Sequence, residues 1–120
     1  MGEGTVVSLQ VCVGHRQPMD IKDTVMAVTG QGLEGDRHAN SRSRRQVLLM
    51  EQEVLDALDL TSGAVRENVT ILGLSIHQLA PGQIIGIGDE VRLEVTGLCA
   101  PCERMDEIRM GLRQAITGRR

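Results

Sequence analysis

Residues 97–105, Gly-Leu-Cys-Ala-Pro-Cys-Glu-Arg-Met, join a predicted strand to a predicted helix and hold two of the chain's three cysteines. Before them, polar and apolar residues alternate over residues 90–96, which is the period of a half-buried strand. After them, apolar residues recur three and four positions apart over residues 105–116, which predicts an amphipathic helix. Cys102 is therefore predicted to lie at or just before a helix N-terminus.

This position makes Cys102 a candidate for chemistry. The unpaired N–H groups and the dipole at a helix N-terminus favour a thiolate over a thiol, and Pro101 suits the end of a strand. A thiolate there is a candidate nucleophile, sulfur carrier or metal ligand. The alternative is a structural role, because free cysteine often packs as a small buried hydrophobe. For Cys99 we favour a structural role or that of a secondary thiol.

Outward from this stretch, the chain alternates short strands with turns. The predicted strands are 5–13, 24–28, 46–50, 68–72, 83–87 and 90–96, and the two predicted helices are 51–60 and 103–116. Many short strands and few helices predict a mainly β fold resembling a small barrel, formed by one domain over residues 1–120. Within the first strand, Cys12 alternates with the apolar residues, so its side chain is expected on the face opposite the main core.

The composition excludes several classes of function. The net charge of −3 argues against general binding of nucleic acids or membrane surfaces. The chain has no Phe, Tyr or Trp, so it lacks the stacking residues that hold unpaired bases. Three cysteines imply no disulfide framework, and no apolar run approaches the roughly 20 residues that span a bilayer. Because the N-terminus also lacks signal-peptide features, we expect a cytoplasmic protein with reduced thiols.

One basic segment stands out on this acidic chain. Residues 37–45 contain four arginines and His38 but no acidic residue, and three glycines precede them at positions 30, 32 and 35. Such a segment favours a small anionic ligand over a polyanion. The alternative is a solvated loop.

Five segments occur in one order: GLEGDRHA at 32–39, QVLL at 46–49, RENVTI at 66–71, GIGD at 86–89 and Pro101-Cys102. Together they resemble the MOSC domain family, the C-terminal domain of molybdenum-cofactor sulfurases that also occurs as small stand-alone bacterial proteins. The resemblance covers nearly the whole chain. It implies a β-rich, barrel-like fold, in agreement with the strand pattern.

The resemblance also implies a cofactor and site residues. Family members are associated with the molybdenum cofactor, molybdopterin, and with sulfur transfer through a cysteine that matches Cys102. That residue would accept sulfane sulfur as a persulfide or ligate molybdenum. Whether this makes the chain an enzyme, as a sulfur transferase or through a cofactor-dependent activity, stays open. The matched cofactor-binding positions are Gly35, Asp36, Arg37, His38, Arg66 and Asn68.

The chemistry of these positions is coherent. Arginine offers paired donors to a phosphate, and asparagine offers a donor and an acceptor to a pterin edge. A soft thiolate suits a soft metal or a sulfane sulfur. The alternatives are that Asn68 caps a turn, that Arg66 is a surface residue and that Asp36 orients Arg37.

The resemblance suggests partners as well. The large sulfurases fuse this domain to a pyridoxal-phosphate-dependent desulfurase, so a cysteine desulfurase of that kind and molybdoenzymes are the expected partners. Relatives usually continue through further strands after the last helix, so we expect the C-terminal strands to be missing here. An open sheet edge would then invite pairing with a second copy of the chain.

Two other functions remain open. Cys99 and Cys102 form a C-x-x-C pair, which favours a zinc-binding or thiol-redox protein, with Cys12, His15, His38 and His77 as possible further ligands. A lone C-x-x-C is a weak signal, because structural zinc takes four ligands. The second alternative is a non-catalytic barrel that binds a partner through its open edge.

Overall fold

The computed structural model describes residues 2–14, 17–99 and 103–118, with Glu103 and Arg104 described by their backbone alone. Its strands outnumber its helices, which confirms the mainly β prediction. The strands are β1 (Thr5–Val11), β2 (Asp20–Lys22), β3 (Ala27–Val28), β4 (Gly32–Leu33), β5 (Leu49–Glu51), β6 (Val69–Leu72), β7 (Ile84–Ile87) and β8 (Val91–Glu94). The helices are α1 (Gln52–Ala57), α2 (Glu103–Ile108) and α3 (Leu112–Ala115), with a single 3-10 turn at Ile76–Gln78.

The main sheet has four strands in the order β2-β1-β6-β5. β1 runs antiparallel to β2 and β6, whereas β5 and β6 are parallel and are joined through α1. The backbone N–H of Gln10 donates to the carbonyl of Asn68 at 2.8 Å, beside the Leu9–Val69 pair. The sheet therefore brings the end of β1 next to the residues that lead into β6.

Two hairpins flank the sheet. β3 pairs with β4, and β7 pairs with β8 from Ile84–Glu94 to Ile87–Val91. With residues 43–49 they surround an open cavity of about 930 Å³, whose wall includes Arg44 and His77. Across the described ranges, these pairs stay separate from the main sheet, so the strands resemble a barrel without closing into one.

An aliphatic core lies between α1 and the last two helices. Without aromatic residues, the chain fills this space with branched side chains and methionine, which adapts to irregular gaps. These side chains form one cluster with α1 on one side and α2 and α3 on the other. Its buried members are Met50, Val54, Leu55, Val65, Met105, Leu112 and Ile116.

The structure corrects the sequence prediction at the last helix. One helix was predicted over residues 103–116, but two are present, so the described chain has three helices rather than two. Gly111 adopts a φ of 83°, a left-handed conformation that interrupts an α-helix. The Asp106 carboxylate accepts the N–H of Arg113 at 3.0 Å across this break. The apolar residues keep their 3.6-residue period across the break because both helices pack on one core.

The first strand also differs from its prediction. β1 stops at Val11, and its pairing shifts between Val6 and Ser8. The predicted alternation does not hold beyond the end of β1, where Val13 is 53 % exposed and Cys12 is buried. The predicted strand at 24–28 keeps only Ala27–Val28, and β2 and β4 were not predicted.

No helix in the described part of the chain is both long and apolar enough to cross a membrane.

Candidate functional site

The Asp36 carboxylate is the centre of a hydrogen-bond network between β1, β6 and the loop that follows β4. Its side chain is fully buried. Oδ1 accepts the backbone N–H of Cys12 at 2.6 Å and the side-chain amide of Asn68 at 3.1 Å. Oδ2 accepts the backbone N–H of His38 at 3.1 Å and lies 3.6 Å from its ring Nδ1. One carboxylate therefore fixes three separate segments relative to each other.

Burial alone would raise the pKa of Asp36, because an ionised carboxylate loses hydration. Hydrogen bonds from the His38 side chain, the Cys12 backbone and the Asn68 amide outweigh that effect and hold the pKa below its ordinary value. The charge on His38 adds to the lowering. Asp36 is therefore an anion held by donors from three segments.

The side-chain amide of Asn68 makes its hydrogen bonds within the protein. Its Oδ1 accepts the N–H of Leu48 at 3.0 Å, and its Nδ2 donates to Gln10 carbonyl oxygen at 3.2 Å and to Asp36. The residue is 1 % exposed. Both atoms of the Asn68 amide therefore bond within the protein, and the predicted direct contact with a pterin edge stays a prediction.

Arg66 covers the sulfur of Cys12. Its Nη2 lies 3.0 Å from Cys12 Sγ and donates to Gly14 carbonyl oxygen at 3.2 Å, and its Nη1 donates to the carbonyl of Gln17. Arg66 has a φ of 69°, a left-handed conformation that costs a non-glycine residue energy. The half-buried guanidinium thus lies between a buried thiol and the loop after β1.

The remaining predicted residues lie around the same point. Arg37 is exposed at its side chain, and its backbone N–H donates to Cys12 carbonyl oxygen at 2.7 Å. Gly35 forms the turn with a φ of 84°, where a side chain would strain the backbone. All six predicted cofactor-binding positions thus come together at the end of β1. Cys102 lies outside the described residues.

Sequence reasoning did not single out Cys12, although both the Asp36 loop and Arg66 converge on it. The signal available was its position near the end of a predicted strand, two residues before Gly14. Alternation misplaced its side chain, because Gln10, Val11 and Cys12 are all buried, so both faces of the chain are covered at the end of β1.

A second carboxylate–histidine pair lies apart from this network. The buried Glu51 carboxylate accepts the backbone N–H of His77 at 3.3 Å and is also in hydrogen-bond contact with ring Nδ1. His77 is thereby fixed in the cavity wall. Among residues 2–14, 17–99 and 103–118, no three side chains of His, Cys, Asp or Glu cluster as metal ligands.

Comparison with known proteins agrees with this architecture. The structure of the YuaD protein from Bacillus subtilis superposes with a TM-score of 0.77 at 14 % identity, covering 99 % of this chain and 86 % of that one. This likeness concerns the fold alone. A search of curated proteins found no significant match. The MOSC domain profile matches residues 34–117, which include Asp36, Arg66, Asn68 and Cys102. The chain therefore belongs to the MOSC domain family, which is associated with the molybdenum cofactor.

Proposed function

We propose that this MOSC domain binds the molybdenum cofactor and carries sulfur, with Cys102 as the residue that accepts sulfane sulfur or ligates molybdenum. The observation that carries the proposal is the family match over residues 34–117, which contains Cys102 and all six cofactor-binding candidates. The fold supports it by gathering those six candidates at the end of β1.

The residues at this point suit the phosphate end of molybdopterin. Arg37 and His38 are exposed, and the half-buried Arg66 contacts the sulfur of Cys12, whose backbone N–H donates to Asp36. Guanidinium groups bind phosphate oxygens through paired charge-assisted hydrogen bonds. Arg37, His38 and Arg66 would therefore hold the anion, and Asp36 and Asn68 would keep their segments in place. When bound, the cofactor supplies molybdenum, for which a thiolate is a suitable soft ligand.

Sulfur transfer to Cys102 needs no external oxidant. The Cys102 thiolate attacks the outer sulfur of a persulfide, R–S–SH, on a donor such as a pyridoxal-phosphate-dependent cysteine desulfurase. A new S–S bond forms at Cys102, the donor's S–S bond breaks, and the donor's inner sulfur leaves as a thiolate. The proton of the persulfide stays with the transferred sulfur. A molybdoenzyme would then be the natural recipient.

Changing Arg37 to Ala is expected to weaken molybdopterin binding about ten- to a hundredfold, because a charge-assisted hydrogen bond contributes roughly 1.5–3 kcal/mol. Arg37 is a clean test since its contact with Cys12 uses the backbone, which alanine keeps. Arg66→Ala should give a loss at least as large. Affinities would be measured by titration at two salt concentrations.

The matched control is Arg92→Ala, an exposed arginine on β8. Its loss should be small and should vanish with added salt, because exposed charges beyond a Debye length are screened. Equal losses for Arg37→Ala and Arg92→Ala would mean that binding rests on general electrostatics, and the phosphate site would be rejected.

The alternatives predict different observations. A zinc protein using Cys99 and Cys102 would be purified with about one equivalent of zinc, and a thiol-redox protein would form a Cys99–Cys102 disulfide. A partner-binding barrel would leave both cysteines unmodified by a persulfide donor.

If the domain pairs with a second copy through a sheet edge, its sedimentation coefficient would rise with concentration.

A further inference from the structure

Glu67 is a fully buried carboxyl group that the proposed chemistry does not use. It stands between Arg66 and Asn68 and is 0 % exposed. Its Oε2 accepts the backbone N–H of Gly63 at 2.9 Å and lies 3.0 Å from Thr70 Oγ1. Its Oε1 is buried and has no partner of hydrogen-bonding geometry in the part of the chain that the structure describes. Half of this carboxyl is therefore unsupported if it is ionised.

Among the described residues, the groups that hydrogen-bond to Glu67 carry no charge. From β1 comes the Gln10 amide, which donates to Glu67 carbonyl oxygen at 3.0 Å and lies 3.4 Å from Thr70 Oγ1. From β6 comes the Thr70 hydroxyl, and from the preceding turn comes the Gly63 backbone. Arg66, the adjacent cation, directs its guanidinium to Cys12 and to the loop after β1.

These surroundings favour the neutral acid. Burial raises the pKa of Glu67, and the hydrogen bonds from the backbone of Gly63, Glu67 and Val65 and from the Thr70 side chain offset this only in part. The contact with Thr70 suits the acid as well as the anion, because either oxygen can supply the hydrogen.

Gly63 connects this carboxyl to Arg66. The N–H of Gly63 donates to Glu67 Oε2, and the carbonyl of Gly63 accepts the N–H of Arg66 at 3.0 Å. Gly63 is itself in a left-handed conformation, with a φ of 86°, where only glycine is free of strain. One turn thus links the carboxyl to the strained Arg66, whose guanidinium covers Cys12.

We infer that Glu67 is a positioning residue that acts as the neutral acid, and that its ionisation opens the 63–67 turn and withdraws Arg66 from Cys12. A charge that is buried with one oxygen unpaired is relieved when the turn opens to water. Opening frees Gly63, and with it the backbone of Arg66. Access to Cys12 would therefore be gated by pH, whether or not Cys102 carries sulfur.

The test measures the rate at which iodoacetamide alkylates Cys12 as its only thiol, in a Cys99→Ser, Cys102→Ser background. The rate is compared between Glu67 and the neutral variant Glu67→Gln at each pH, so the ionisation of the thiol itself largely cancels in the ratio. We expect a ratio near one at acidic pH that rises about tenfold or more as Glu67 ionises, since each pH unit changes the ionised fraction about tenfold. Arg66→Ala should alkylate fast with either side chain at position 67.

A ratio that stays constant over the whole pH range would overturn the inference. If Glu67→Gln does not fold, carbon NMR of the carboxyl groups in the unmodified protein decides the question. Glu67 should then titrate above the ordinary glutamate value of 4.5, and the Arg66 guanidinium resonance should shift at the same midpoint. Titration of Glu67 at that ordinary value, or an unmoved Arg66 signal, would overturn the inference. Both readouts are independent of sulfur transfer, so failure here leaves the proposed function standing.

Discussion

Replacing Asp36 by alanine is expected to lower the free energy of unfolding by about 3–5 kcal/mol. The change removes a fully buried carboxylate and leaves the donors of Cys12, His38 and Asn68 without their acceptor. Those donors belong to three segments, so the substitution removes hydrogen bonds that hold the segments together. The measurement is equilibrium unfolding in urea, monitored by circular dichroism.

The pH dependence gives this prediction a second signature. The folded pKa of Asp36 is lowered, so its stabilising effect is fully present above the ordinary value of 3.8 and is lost as the pH falls through the folded pKa. The difference between wild type and Asp36→Ala should therefore shrink in acid. Asp89→Ala, at an exposed turn position, should change stability by less than about 0.5 kcal/mol. Equal effects at Asp36 and Asp89 would refute the buried network.

Replacing Met50 by alanine is expected to cost about 2–5 kcal/mol, because it leaves a cavity in the core. Met50 is 0 % exposed and lies on β5, in the cluster that joins α1 to α2 and α3. The chain offers a matched control in Met110→Ala, whose side chain is 94 % exposed. Thermal and urea unfolding of the two variants measures the difference.

Met110→Ala should be nearly neutral, within about 0.5 kcal/mol. A loss at Met50 no larger than that at Met110 would mean that the last two helices do not pack on α1 as described. The same pair of variants therefore tests whether α2 and α3 pack on the core that they share with β5 and α1.

Part of the fold was predictable because a half-buried strand alternates in polarity, as β8 does. Period-two alternation located β8, and the apolar stripe of α1 located that helix, although its ends lie inside the predicted ones. β2 and β4 were missed since two or three residues are too few for a period to show. The break at Gly111 was missed because glycine within a helical pattern is tolerated often enough to pass unnoticed.

The site was predictable in part, and for a different reason. Family resemblance selected Asp36, Arg66 and Asn68, but sequence could not show that they share one network or that Cys12 lies in it. That arrangement depends on pairing between β1 and β6 and on the irregularity in β1. The burial of Glu67 could not be predicted from the sequence either, because a single glutamate before a strand does not indicate burial.

We propose different roles for the thiols of Cys12 and Cys102. Cys12 belongs to the network around Asp36. Its sulfur contacts Arg66, its backbone N–H donates to the Asp36 carboxylate, and its carbonyl oxygen accepts the backbone N–H of Arg37. Cys102 follows Pro101 and matches the family's cysteine by resemblance, and sulfur transfer is the role that we propose for it. The two assignments are separable, since single-cysteine variants isolate each thiol.

The most direct test of the sulfur-carrier function is mass spectrometry of the intact protein after incubation with a cysteine desulfurase and cysteine. The protein should gain one sulfur atom, and peptide mapping should place it on Cys102. The gain should persist in Cys12→Ser and Cys99→Ser and disappear in Cys102→Ser. A protein that gains no sulfur, or one whose added sulfur maps to Cys12 or Cys99 and persists in Cys102→Ser, would contradict the account.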